Sequence, residues 1–239
     1  MTTFVLVHGG MHGSWCWEPV AEPLRSAGHR VEAVDLPGRP GGPVVPTIDM
    51  ASYVDVVTAA IDHADEPVVL AVHSLGGVAA SLAVESRAEA ISRIVFVNSL
   101  LLNDGEGAFE ALIKRGADCV LTREGALLPS ADGATIFVDS PETAIDAFYN
   151  CCDPATAKEA ASKLVPEPLP PVLQPLVVTA ARFGAVPKTY VGSRRDHVVP
   201  WAVQQRMSDA YSARFVELGG DHSPFLSATD DLLTVLAES

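Results

Sequence analysis

The strongest constraint on this chain is an alternation. Short runs rich in Val, Ile and Phe take turns with helix-length segments through its first hundred residues. "TFVLVHG" (3–9), "HRVEAVDL" (29–36), "VVLAVH" (68–73) and "ISRIVFVNS" (91–99) read as strands. Between them, 14–28, 48–64 and 75–87 read as helices, the second capped by Thr47 and the first ended by Gly28. Strands separated by helices must pair in parallel, because the crossover returns each strand in the same direction. "VVLAVH" is apolar almost throughout, as a central parallel strand covered on both faces has to be. The Pro and Gly density of "PGRPGGPVVP" (37–46) makes it a loop. The fold class is therefore α/β, with a mostly parallel central sheet flanked by helices.

The alternation stops near residue 100. Residues 100–186 carry short helical patterns, a β-like stretch with internal turn residues at 119–140, and the proline-rich "PEPLPPVLQP" (166–175). Regular order returns with strand 187–193, helix 201–213, strand 214–220 and a C-terminal helix running to Ser239. A length of 239 residues suits one core. The expected organisation is a single domain with core 1–99 and 187–239 and an inserted cap at about 100–186.

A net charge of −14 argues against nucleic acid, whose binding depends on Lys and Arg neutralising phosphates, and it disfavours anionic substrates. No apolar run is long enough to span a bilayer. "MTTFVLVHGG" enters an apolar run without a basic region or cleavage site, so it reads as a first strand and not a leader. Cys16, Cys119, Cys151 and Cys152 lack both a disulfide framework and paired metal-site spacing, which implies reduced thiols, a cytoplasmic location and no metal.

Chemistry enters with "AVHSLGGV" (71–78). A serine directly after an apolar strand and before a glycine-started helix sits where a nucleophile elbow would sit. A serine hydroxyl is weakly nucleophilic at neutral pH, so it needs a base and a group that orients the base. His222 follows strand 214–220, and Asp196 follows strand 187–193. Three residue types in strand-end loops, in the chain order Ser74, Asp196, His222, form a far more specific signal than the elbow alone. Asp221 is a rival acid, but a residue adjacent to His222 does not naturally point at its ring. Developing oxyanion charge needs preorganised N–H donors, which the loop "HGGMHGSW" offers at Gly10 and the helix start at Leu75.

These stretches, with "DLPG" (35–38), "YVGSRRDHVVP" (190–200) and "GGDH" (219–222), resemble the α/β-hydrolase superfamily. Within it they are similar to the plant methylesterase and hydroxynitrile lyase branch and its bacterial esterase relatives. "FYNCCDP" (148–154) carries a looser likeness in the cap. The resemblance implies an α/β-hydrolase fold with Ser74 as nucleophile, Asp196 as acid, His222 as base, and Gly10 and Leu75 as oxyanion donors. It also implies a cofactor-independent serine hydrolase acting through an acyl-enzyme on a small or medium ester, neutral and partly apolar.

Two departures stand out. Val72 occupies the usual first glycine of the elbow. Gly9 and Ser223 stand where the lyases use Thr and Lys, which favours hydrolysis over cyanohydrin cleavage. A lyase or cyclisation catalyst on the same triad, and a non-catalytic ligand-binding protein on this scaffold, are the competing readings. A homodimer remains open. His8 and His12 are expected to brace the oxyanion loop and His73 to lie beneath the pocket, with His29, His63 and His197 at the surface. Phe109, Phe137 and Phe148 are candidates for an apolar pocket or for packing, and Cys151 and Cys152 for buried thiols.

Overall fold

The computed structural model describes residues 1–115 and 119–238. Its first half runs β1 (Thr3–Val7), α1 (Glu18–Ser26), β2 (Arg30–Val34), α2 (Met50–Asp62), β3 (Val68–His73), α3 (Gly76–Arg87) and β4 (Ile91–Val97). The intervening segment holds α4 (Ala108–Arg115), β5 (Leu127–Pro129), β6 (Thr135–Val138), α5 (Pro141–Phe148), α6 (Pro154–Ser162), β7 (Glu167–Pro168) and α7 (Leu169–Leu173). The chain then completes the main sheet with β8 (Lys188–Ser193), α8 (Trp201–Ala210), β9 (Arg214–Leu218), α9 (Pro224–Ser227) and α10 (Thr229–Ala237). Ser239, the expected end of the last helix, lies outside the described residues.

Six parallel strands form the main sheet in the order β2-β1-β3-β4-β8-β9. The order reverses between β1 and β3, and a crevice opens at the carboxyl ends of strands around such a reversal. The loop after β1 and the turn after β3 therefore meet there. Apart from the main sheet, β5, β6 and β7 pair antiparallel into a small sheet, which is what the turn-interrupted β-like stretch 119–140 becomes. The expected α/β architecture is the one observed.

Side chains alternate across the sheet as a two-residue period demands. Val5, Val7, Val68, Leu70 and Val72 join the cluster that holds α2 and α3, whereas Phe4, Leu6, Val69 and Ala71 join the cluster under α1 and α10. Val72 thus has an ordinary core position. It is fully buried in the same cluster as Val78, Ala79, Ala80 and Ala83, whose small size lets α3 lie close.

The glycines that start α3 are required by contact. A Cβ at Gly76 would lie 2.3 Å from the His8 carbonyl oxygen, and one at Gly77 2.3 Å from Ser99 Oγ. The cap of α2 differs from the expectation. Asp49, not Thr47, accepts from Ser52 N at 2.9 Å, and Ser52 Oγ accepts from Asp49 N at 3.1 Å. Such reciprocal bonding satisfies two backbone donors at once, which a single threonine cannot. Among the described residues no helix is long and apolar enough to cross a membrane.

Candidate active site

Ser74 has φ +48, in the left-handed region that a side chain ordinarily avoids. Its backbone is held there from several sides. The Ser74 carbonyl accepts from Gly77 N, Leu100 N and Ser99 Oγ at 3.1, 3.0 and 2.8 Å. Met11 (φ +63) and Asn98 (φ +43) are strained in the same way; Met11 lines the same crevice as Ser74, and Asn98 holds the His222 carbonyl. Strain of this kind persists only where surrounding bonds over-determine it.

The structure brings Asp196 and His222 together. His222 Nδ1 lies 2.9 Å from Asp196 Oδ1 and 3.0 Å from Oδ2, with both side chains inaccessible. Asp196 Oδ1 also accepts from Val198 N and Val199 N, and Oδ2 from Gln204 Nε2. A carboxylate so surrounded leaves the imidazole Nδ1 as donor and Nε2 as acceptor. Nε2 is buried and, among the described residues, has no hydrogen-bond partner, the Ser74 hydroxyl included. The His222 carbonyl is fixed by His73 Nε2 at 2.9 Å and Asn98 Nδ2 at 3.2 Å.

Asp221 does other work. Its Oδ1 accepts from Ser223 N and Ser227 Oγ at 2.9 and 2.7 Å, and its Oδ2 from Cys151 N at 2.7 Å. It therefore ties the His222 loop to the segment between β4 and β8. Cys151 and Cys152 were expected to be buried, but both are half-exposed. The backbone turns there to deliver the Cys151 N–H to Asp221. Burial and the Asp221 carboxylate push the Cys152 thiol up to about 12, so it stays protonated.

The loop after β1 is braced by histidines. His8 Nδ1 donates to the Gly9 carbonyl and His12 Nδ1 to the Gly10 carbonyl, each at 2.8 Å. A trans peptide points its N–H opposite its C=O. Fixing the Gly9 carbonyl therefore aims the Gly10 N–H the other way. Gly10 and Leu75 both line the crevice with Ser74. Among the described residues, neither N–H donates to another protein group. Burial lowers the pKa of His8 and His73 well below the usual histidine value and that of His12 to about 3, so all three stay neutral.

The crevice opens into a pocket that is partly continuous with solvent. Leu100, Phe109, Leu121, Ile136, Phe148 and Val198 give it an apolar wall. Of the three phenylalanines that were candidates for pocket or packing, Phe109 and Phe148 line the pocket and Phe137 is not among the lining residues. Sequence reasoning missed Glu167, a buried carboxylate that borders the same cavity and is paired with the equally buried Arg39. Nothing in "PEP" signals a buried charge. His63 is exposed and His29 and His197 are half-buried, with His197 Nδ1 2.9 Å from Asp146 Oδ1.

Fold and crevice together define the class. A model of the alpha/beta hydrolase family matches residues 4–235, and the chain belongs to that family. Among its relatives, methyl jasmonate esterase 1 of Vitis vinifera is 30% identical over 258 residues, covering 98% of this chain and 95% of that protein. Methylesterase 7 of Arabidopsis thaliana is 29% identical over 261 residues, with 98% and 95% covered. The chain spans only 63% and 56% of two longer Arabidopsis relatives named as chloroplastic methylesterases 11 and 15. Polyneuridine aldehyde esterase superposes with a TM-score of 0.86 at 25% identity, covering 100% of this chain and 98% of that one. The likeness to the methylesterase branch inferred from the motifs is thus found across the whole chain.

Proposed function

We propose that this protein is a cofactor-independent carboxylic ester hydrolase in which Ser74, His222 and Asp196 act as nucleophile, base and orienting acid. The observation that carries the reading is the His222 ring: its Nδ1 is held by Asp196, and its Nε2 is buried with no partner among the described residues. An acceptor in that position is ready to take a proton, and catalytic hydrogen bonds often tighten only when substrate is bound. The methylesterase names of the relatives support the same chemistry.

Ser74 Oγ attacks the ester carbonyl carbon as its proton passes to His222 Nε2. Negative charge collects on the former carbonyl oxygen, between the Gly10 and Leu75 N–H groups, whose dipoles are already oriented. Collapse breaks the bond to the alcohol oxygen, which leaves with the proton from His222. Water then attacks the acyl-enzyme, giving its proton to His222, and the second collapse returns that proton to Ser74. The balance is ester plus water to acid plus alcohol.

The substrate is read as neutral and partly apolar. Residues 100–186 act as a cap whose Phe109, Leu121, Ile136 and Val172 supply much of the wall. A lyase is disfavoured by position 9, where a Cβ would lie 2.7 Å from Ser74 Cβ, and by buried Ser223 in place of a lysine. The cytoplasmic assignment from the thiols belongs to this proposal, beside relatives named as chloroplastic.

The test is a panel of chromogenic esters of graded acyl length, with Ser74→Ala as blank and a fluorophosphonate probe to locate the nucleophile. Ester turnover and Ser74 labelling are expected, with no cyanide release from mandelonitrile. A folded wild type that is not labelled at Ser74 would support a ligand-binding protein instead.

A further inference from the structure

Met11 carries an unusual set of bonds for a loop residue. At φ +63 it is strained, and the insertion holds it at both ends. Its carbonyl accepts from Val165 N at 2.9 Å, and its N–H donates to Glu167 Oε2 at 2.7 Å. The Met11 N–H belongs to the same peptide plane as the Gly10 carbonyl, which His12 Nδ1 holds at 2.8 Å. That plane directly follows the one that presents Gly10 N–H. His12 Nε2 accepts in turn from Tyr149 Oη at 2.8 Å, a second bond from the insertion.

Glu167 is fully buried, yet every polar atom of its carboxylate is engaged. Oε1 accepts from Tyr53 Oη at 2.9 Å, and Oε2 accepts from Arg39 as well as Met11. Arg39 reaches the same loop, donating from Nε to the His12 carbonyl at 2.7 Å. A buried pair of charges is poor evidence for stability, because desolvation offsets its attraction. This pair instead converges on one strained turn. Glu167 also lies against the oxyanion loop, since a Cβ on Gly10 would be 3.5 Å from its Oε2.

We propose that Glu167 is a positioning residue that sets the oxyanion donors, fixing the Met11 peptide so that Gly10 N–H points at the substrate oxygen. The inference rests on the hydrolase reading. Under it, the inserted segment does more than cover the pocket: the small sheet carries the group that holds the transition-state site in shape. Glu167 touches no reacting atom. Its removal is expected to act on kcat, where transition-state stabilisation is read, and much less on KM, where ground-state binding is read.

The experiment compares Glu167→Gln with Glu167→Leu, counting active sites by fluorophosphonate labelling carried to completion. Gln keeps an oxygen acceptor for Met11 N–H, and Leu does not. The Leu variant is expected to lose about 10- to 100-fold in kcat per labelled site, short of the roughly 10²–10³ for deleting a donor outright. KM should change less than threefold or so, and Gln should restore most of kcat.

Leaving Arg39 unpaired could unfold the Leu variant, so the same two substitutions are also made in an Arg39→Leu background. There the buried charge is gone, and the pair differs in the Met11 acceptor. The Gly10 amide resonance provides a readout that needs no turnover, and it should move with Leu and stay with Gln. If the wild type shows no Ser74-dependent turnover, the hydrolase reading falls, while the Gly10 resonance still decides whether Glu167 holds the loop. Equal kcat per site for Leu and Gln, or an unmoved Gly10 amide in Leu, overturns the proposal.

Discussion

Asp196 and His222 are linked by two contacts of 2.9 and 3.0 Å, although 26 residues separate them, while Asp221, the direct neighbour of His222, turns to the Cys151 N–H. A side chain cannot readily face the ring of the next residue, and Asp221 instead accepts bonds that shape the turn. Asp196→Asn is expected to keep the fold and lose up to about 10⁴-fold in kcat/KM, by analogy with the serine-protease triad. Asp221→Asn is not a silent control. An amide on a buried carboxylate site replaces an acceptor with a donor, so thermal stability should fall, with a smaller loss of activity per labelled site. A normal Asp196→Asn enzyme would show that the acid has been assigned wrongly.

Gly9 is where the crevice has no spare room. An added Cβ would lie 2.6 Å from His73 Nδ1 and 2.7 Å from Ser74 Cβ, and His73 is pinned by its bond to the His222 carbonyl. The clash can be relieved only by moving the nucleophile or the residue that holds the base. Displacements of about 1 Å can cost roughly 10²-fold, so Gly9→Ala should lose about that much in kcat. A variant with wild-type turnover per labelled site would mean that the turn is softer than its contacts imply.

Val72 poses the opposite case. It departs from the elbow pattern but is fully buried in the α2–α3 cluster. Restoring the pattern with Val72→Gly would open a cavity and free the strand backbone, costing about 2–4 kcal/mol. Melting temperature should drop while turnover per labelled site stays close to wild type. Higher activity in the glycine variant would show that Val72 strains the elbow.

These positions show what could be read without coordinates. The parallel sheet was legible, as was the pairing of the loops that carry Asp196 and His222, because each strand and its following loop are local in sequence. The order of strands then brings the loop after β1 beside the turn after β3. Glu167 was not legible. Its partners Arg39 and Met11 are 128 and 156 residues away, and the proline-rich "PEP" carries no sign of either. Thr47 satisfied the composition rule for a helix cap, and only the reciprocal bond with Ser52 identifies Asp49 as the cap.

The buried histidines make a prediction about acid. His8, His12 and His73 are neutral in the folded protein because burial opposes their charged form, with His12 lowered to about 3. Unfolding exposes all three, and each then titrates near 6.5. Below that pH the unfolded state binds more protons, so stability present at pH 7 declines as pH falls and levels off only below the folded pKa values.

Each such group contributes about 1.4 kcal/mol per pH unit, so three give a slope of about 4 kcal/mol per unit near pH 5. Carboxylates with lowered pKa, such as Glu85 and Asp146, lose their contribution only as pH drops below about 4, which leaves the window from 6.5 to 5 to the histidines. The three together remove about 6 kcal/mol between pH 7 and 5, so a domain at the low end of the usual range of about 5–15 kcal/mol should unfold near pH 5. Urea titrations at pH 7, 6, 5.5 and 5 measure the slope directly. A value below about 1.4 kcal/mol per unit between pH 6 and 5 would mean that these rings accept protons in the folded state. The bonds from His8 and His12 that aim the Gly10 N–H would then need another explanation.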